Sequence, residues 1–110
     1  MADRPNILFI FDDQHRHDYV GASGATWLNT PNLDRLAYNG LRFTNFYSEN
    51  MCWPSRATML TGTYSRTAVR DRILNPECVT MAELLRDSGY ATYISGKWHL
   101  ALDENPQSWP

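Results

Sequence analysis

A single lysine, Lys97, stands against nine arginines, and only two cysteines, Cys52 and Cys78, occur in 110 residues. Two cysteines cannot make a disulfide framework, and their spacing matches no zinc signature, so each is read from its own surroundings. Long apolar stretches are equally scarce. The longest uninterrupted one is Ile7 to Phe11, far short of the roughly 20 residues that a membrane span needs. Neither sign of charge forms a block, and ten basic against twelve acidic side chains leave a net charge of -2. No polyanion-binding stripe and hence no nucleic-acid partner is indicated. Proline and glycine, six of each, are scattered as punctuation, and no repeat or low-complexity tract is present. The opening residues carry no basic region, apolar signal core or small-residue cleavage site. That pattern predicts a cytoplasmic protein, or a periplasmic or secreted one from which a signal has been removed.

What is present is a mixture of 43% hydrophobic and 20% charged residues, as expected for one globular domain or a piece of one that buries roughly two-thirds of its unfolded surface. Ile7-Leu8-Phe9-Ile10-Phe11 is a branched and aromatic run of strand length, as expected for a strand covered on both faces. Thr30-Pro31 supplies a helix cap and a first-turn proline, Leu33, Leu36 and Ala37 share a face, and Gly40 closes that helix. Leu41 to Tyr47 alternates and predicts a second strand. Pro54 opens a helix to Leu60, with Gly62 beyond its end and Cys52 at its N-terminus. Residues 63–79, with Arg66, Arg70, Arg72 and the Asn75-Pro76 turn signal, read as an irregular connection. Thr80 to Glu83 is a capping box, Met81, Leu84 and Leu85 form the apolar face, Gly89 ends the helix, and Tyr90 to Ser95 is strand-like. The order predicts an α/β fold, in which ligands collect beyond the carboxyl ends of strands.

Each of the three predicted strands ends in charged or reactive groups. Asp12 and Asp13 repel each other unless a positive group lies near, and a hard divalent cation suits paired carboxylates; capping of the following turn is the alternative. His15 and His17, two apart on a loop, are a poor zinc signal. Cys52-Trp53-Pro54-Ser55-Arg56 surrounds a thiol with helix N–H groups and a guanidinium four residues on, an anion-binding and thiolate-favouring setting, against the plainer reading of a small buried cysteine. Ser55 lacks a nucleophile elbow and reads as a helix-start hydrogen bonder. Cys78 reads as an inert structural cysteine. Gly96-Lys97-Trp98-His99 sets an ammonium and an imidazole two apart on an extended segment, able to face the same way. Together these groups suit hydrolysis of an anionic ester.

Cys52-x-Pro54-x-Arg56 running into Met59-Leu60-Thr61-Gly62, and Gly89-Tyr90 followed by Gly96-Lys97-Trp98-His99, resemble the two signatures of the sulfatases in the alkaline phosphatase superfamily. Arg4-Pro5-Asn6-Ile7 leading into Asp12-Asp13, and Thr30-Pro31-Asn32-Leu33-Asp34-Arg35-Leu36-Ala37, support the match. The resemblance implies an alkaline phosphatase-like sandwich with a mostly parallel central sheet, of which residues 1–110 are an amino-terminal segment without internal boundary. It further implies sulfuric ester hydrolysis in which a formylglycine-generating enzyme oxidises Cys52 and the hydrated aldehyde attacks the sulfate ester. Asp12, Asp13 and the converted Cys52 would bind Ca2+, or Mg2+ in some members; Arg56 would hold the nucleophile, and Lys97 and His99 would contact it and the sulfate. Trp53 is bulkier than the family's usual residue between Cys and Pro. Family members run to several hundred residues and bring further ligands, including an adjacent Asp and Asn or His, from downstream; Asp103 and Asn105 are not adjacent and do not take those roles. Phosphate or phosphonate ester hydrolysis by the same groups, and a catalytically silent segment, are the competing readings.

Overall fold

A computed structural model describes residues 4–101. Its contacts divide the chain into two compact units, residues up to Phe46 and residues from Tyr47 onward, and each is described by itself.

In the first unit a 3-10 turn at Gly21–Ser23 is followed by helix α1, Pro31–Asn39. Pro31 takes the first helical position, where a missing N–H costs nothing. Thr30 stands at the cap, yet its hydroxyl does not cap α1. It accepts from Gly21 N at 2.8 Å and donates to Asp34 Oδ1 at 3.0 Å, while Asp34 Oδ1 also accepts from Ala22 N at 2.7 Å. One carboxylate in the first turn of α1 thereby pins the 3-10 turn to the helix.

The second unit begins with α2, Cys52–Thr61. The helix starts two residues before Pro54, which is tolerated because the first-turn N–H groups have no intrahelical acceptor. Ser55 donates to Met51 O at 2.8 Å and Glu49 O at 3.1 Å, the helix-start role expected of it. Gly62, in the left-handed region at φ 66°, closes α2 through a 2.8 Å bond from its N–H to Thr58 O. The connection expected to be irregular is ordered instead: helix α3, Ser65–Ala68, leads into a hairpin of β1, Val69–Arg70, and β2, Ile73–Leu74, paired antiparallel. Buried Asn75 fastens its base, donating from its backbone to Ala68 O at 2.8 Å and from Nδ2 to Thr67 O at 3.0 Å. Helix α4, Met81–Asp87, has the expected capping box, with Glu83 N bonded to Thr80 Oγ1 and the Glu83 carboxylate to Thr80 N. The core of this unit is Ala57, Ala68, Val69 and Leu100, flanked by Trp53, Leu60, Leu74 and Trp98.

The three segments expected as strands, 7–11, 41–47 and 90–95, are not strands in this structure. Among the described residues the sheet is the two-stranded antiparallel hairpin, and no parallel pairing forms. A covered parallel strand needs a neighbour along each edge and a layer on each face, and these segments lack both: Leu8 is 84% exposed and Tyr93 94%. Caps and tight turns are satisfied by residues a few positions away, so they form regardless. No helix among the described residues is long and apolar enough to cross a membrane.

Candidate functional site

Two stretches of the second unit, 41 or more residues apart in sequence, meet at the start of α2. Cys52 is the first helical residue and half-buried, and its Sγ lies 3.3 Å from His99 Nδ1. Arg56, one turn on, is buried and donates from Nη1 to the carbonyl of Lys97 at 2.8 Å. The guanidinium thus fixes the backbone of the segment that carries both the ammonium and the imidazole.

That segment is not extended throughout. Gly96 has φ 110° and His99 φ 63°, so the chain turns through the left-handed region, which a non-glycine residue adopts only when its surroundings hold it there. The holding comes from the next residue. Leu100 is 1% exposed in the core, and its carbonyl accepts from Leu74 N at 3.0 Å. With Leu100 buried and Arg56 on the Lys97 carbonyl, His99 presents Nδ1 to the thiol. Lys97 is exposed. Cys52, Arg56, Lys97 and His99 are therefore gathered in one unit, with a potential nucleophile, a proton-exchanging ring and two cations.

The acid pair belongs to the first unit. Asp12 Oδ2 lies 2.5 Å from His15 Nδ1, His15 Nε2 lies 3.2 Å from Tyr19 O, and Asp13 Oδ1 accepts from Gln14 N at 3.0 Å. The Tyr19 carbonyl first, and the Asp12 carboxylate second, raise the pKa of His15 above its ordinary 6.5. Among the described residues no three His, Cys, Asp or Glu side chains come together as a metal-holding group. Two exposed carboxylates on one loop are oxygen donors of the kind a hard cation takes, so the pair fits part of a coordination shell and not a whole one.

A family profile for sulfatases matches residues 5–109. The chain belongs to the sulfatase family. Membership carries an alkaline phosphatase-like α/β fold and agrees with the resemblance drawn from the two signatures. Among its relatives, an N-acetylgalactosamine-6-O-sulfatase of Bacteroides thetaiotaomicron is 41% identical over 110 residues, covering 92% of this chain and 22% of the relative. Arylsulfatase A of Bos taurus is 44% identical, with 92% and 22% covered. The steryl-sulfatase of Homo sapiens is 37% identical, with 92% and 20% covered. The chain thus spans about a fifth of the length of these sulfatases. No solved structure matches it significantly.

Residues that support this cluster carried no functional signal in the sequence. Leu100 follows His99 without any periodic signal, Trp98 was visible only within the second signature, and the hairpin at 69–74 has Asp71-Arg72 at its tip, where an Asn-Gly or Asp-Gly pair would have announced a turn. Asn75 was visible only as a turn former, although its side chain ties 67 and 77 together while its backbone N–H bonds to Ala68 O.

Proposed function

We propose that this chain carries the nucleophile part of a sulfuric ester hydrolase, with Cys52 converted to formylglycine by a separate generating enzyme. The observation that supports this most is the pairing of the two signatures: Cys52 Sγ at 3.3 Å from His99 Nδ1, with Arg56 donating at 2.8 Å to the Lys97 carbonyl. When present, the hydrated aldehyde supplies an oxygen nucleophile in place of the thiol. His99 Nδ1 stands where a proton of that nucleophile is held and returned. Arg56 keeps the Lys97–His99 segment in register with the start of α2, so the histidine is in position before substrate arrives. The exposed Lys97 ammonium offsets negative charge on sulfate oxygens.

Asp12 and Asp13 are the residues that would contribute to a Ca2+ site, with Mg2+ as the variant, and the converted Cys52 is a further ligand in this reading. Such a cation, when bound, acidifies a nucleophile hydroxyl and neutralises sulfate oxygens. In this reading segments 7–11, 41–47 and 90–95 are strands of a mostly parallel central sheet, which accounts for the apolar, branched and aromatic run at 7–11. The substrate is a sulfate ester.

Co-expression with a formylglycine-generating enzyme tests the proposal. Trypsin releases Phe43 to Arg56, and conversion lowers the mass of that peptide by about 18 Da, while the Ile73 to Arg86 peptide, carrying Cys78, keeps its mass. A peptide that retains only unmodified Cys52 after exposure to a competent enzyme overturns the reading.

A further inference from the structure

Both cysteines are half-buried, yet they differ in what faces the sulfur. Cys78 Sγ lies 3.7 Å from the Thr67 carbonyl, which can accept a hydrogen bond from the thiol but cannot remove its proton. Cys52 Sγ lies 3.3 Å from His99 Nδ1, a nitrogen that can. The imidazole is held from both sides along the chain: Arg56 bonds the Lys97 carbonyl at 2.8 Å, and buried Leu100 fixes the residue that follows, with His99 at φ 63° between them. A histidine kept in the left-handed region against its ordinary preference, beside a thiol at the first position of a ten-residue helix, is a base and a nucleophile set in register before any substrate arrives. The helix adds donors. Ser55 N bonds to Met51 O at 3.2 Å, which leaves the preceding N–H groups of Cys52 and Trp53 to an acyl oxygen.

We infer that the unconverted chain, with Cys52 still a thiol, hydrolyses activated carboxylic esters through a Cys52 thioester. The thiol proton passes to His99 Nδ1 as the sulfur bonds to the acyl carbon; the ester C–O bond then breaks, and the leaving alcohol or phenol takes that proton. Water next attacks the thioester carbon and gives a proton to His99, and the C–S bond breaks as the sulfur recovers it. No oxidant or reductant enters. Sulfate esters are not substrates of this form, because attack by the thiol would leave a thiosulfate on Cys52, with no second hydroxyl to expel it. The two activities belong to two states of one side chain, the thiol for carboxylic esters and the formylglycine for sulfates. The esterase needs the Cys52–His99 geometry and not the conversion, so it stands apart from the sulfatase reading.

The full chain, expressed without a formylglycine-generating enzyme and given p-nitrophenyl acetate, tests this. p-Nitrophenolate should be released over many turnovers. An acid-quenched tryptic digest should show the Phe43 to Arg56 peptide heavier by about 42 Da, one acetyl group, and the Ile73 to Arg86 peptide, which carries Cys78, unchanged. Cys52→Ala should abolish both the label and the turnover, and Cys78→Ser should leave them as they are. His99→Asn puts a residue that tolerates the left-handed backbone in place of the imidazole, so its urea midpoint should match the parent while turnover falls about 100-fold. Alkylation by iodoacetamide compares the two thiols within one molecule: Cys52 should react faster than Cys78 in the parent, and that lead should vanish in His99→Asn. A folded parent whose Cys52 stays unacetylated, equal labelling of Cys78, or turnover unchanged in His99→Asn overturns the inference. Acetylation that stops after one equivalent overturns it too, because the thioester is then not hydrolysed. All of these outcomes are read without conversion, so none of them bears on the loss of about 18 Da expected of the converted peptide.

Discussion

The two units hold their functional side chains by different means. In residues 4–46 the acid pair sits on a loop whose contacts are local: Asp12 reaches His15, Asp13 reaches Gln14, and the only buried apolar side chain among the described residues of this unit is Ala25. In residues 47–101 the nucleophile candidate and its histidine are 47 positions apart and are joined over a core of Ala57, Ala68, Val69 and Leu100. A loop held by neighbours costs little to order and is fixed weakly. A constellation held by packing is fixed more tightly, and it is lost when the core is disturbed.

The largest effect is expected in the core of the second unit. Leu100→Ala removes the largest fully buried side chain among the described residues, and truncations of this kind cost about 2–5 kcal/mol. Urea unfolding of the second unit should show the loss, together with release of His99 from its left-handed backbone and from Cys52. A cost below about 1 kcal/mol would mean that the core does not hold the site.

Gly21→Ala is the counterpart in the first unit. A Cβ there would come within 2.5 Å of Asp34 Oδ2, and that carboxylate cannot swing away without losing Ala22 N and Thr30 Oγ1. The expected cost is about 1–3 kcal/mol. In an Asp34→Ala background the same substitution should be nearly free, a coupling that a double-mutant cycle measures. Additive effects would break the picture of a unit held by one carboxylate.

Smaller is the α4 cap in the second unit, where Thr80→Ala should cost about 1 kcal/mol. The backbone N–H of Thr80 first, and its hydroxyl second, hold the Glu83 carboxyl below its ordinary value of 4.5. Because the folded-state value is depressed, this contribution is present above pH 4.5 and is lost as pH falls through the lowered value. Urea midpoints followed from about pH 6 to pH 3 should therefore drop less in Glu83→Gln than in the parent.

The smallest effect belongs to the acid pair. Two carboxylates supply few ligands, so this chain should bind Ca2+ weakly, at about 0.1–1 mM, with little affinity for zinc. The Asp12→Ala, Asp13→Ala double variant should lose that binding in calorimetry with little change in unfolding. Undiminished binding would place the ion elsewhere.

What the sequence determined by itself is whatever depends on residues close along the chain. The first-turn proline of α1, the capping box of α4, the terminal Gly62 and the position of Cys52 at the start of α2 were all legible, because a cap or turn is completed within a few residues. The family was legible too, from two short signatures. Only the tertiary structure decided that Ser65 to Leu74 is a helix and a hairpin, that His99 turns left-handed to meet Cys52, and that Arg56 serves the Lys97 carbonyl. Each of these depends on Leu100 reaching a core assembled from residues 53–74, and no local pattern encodes a contact across that separation. The same physics explains why no parallel pairing forms among the described residues: the runs at 7–11 and 90–95 have strand composition, but a ladder needs partners that local sequence cannot provide.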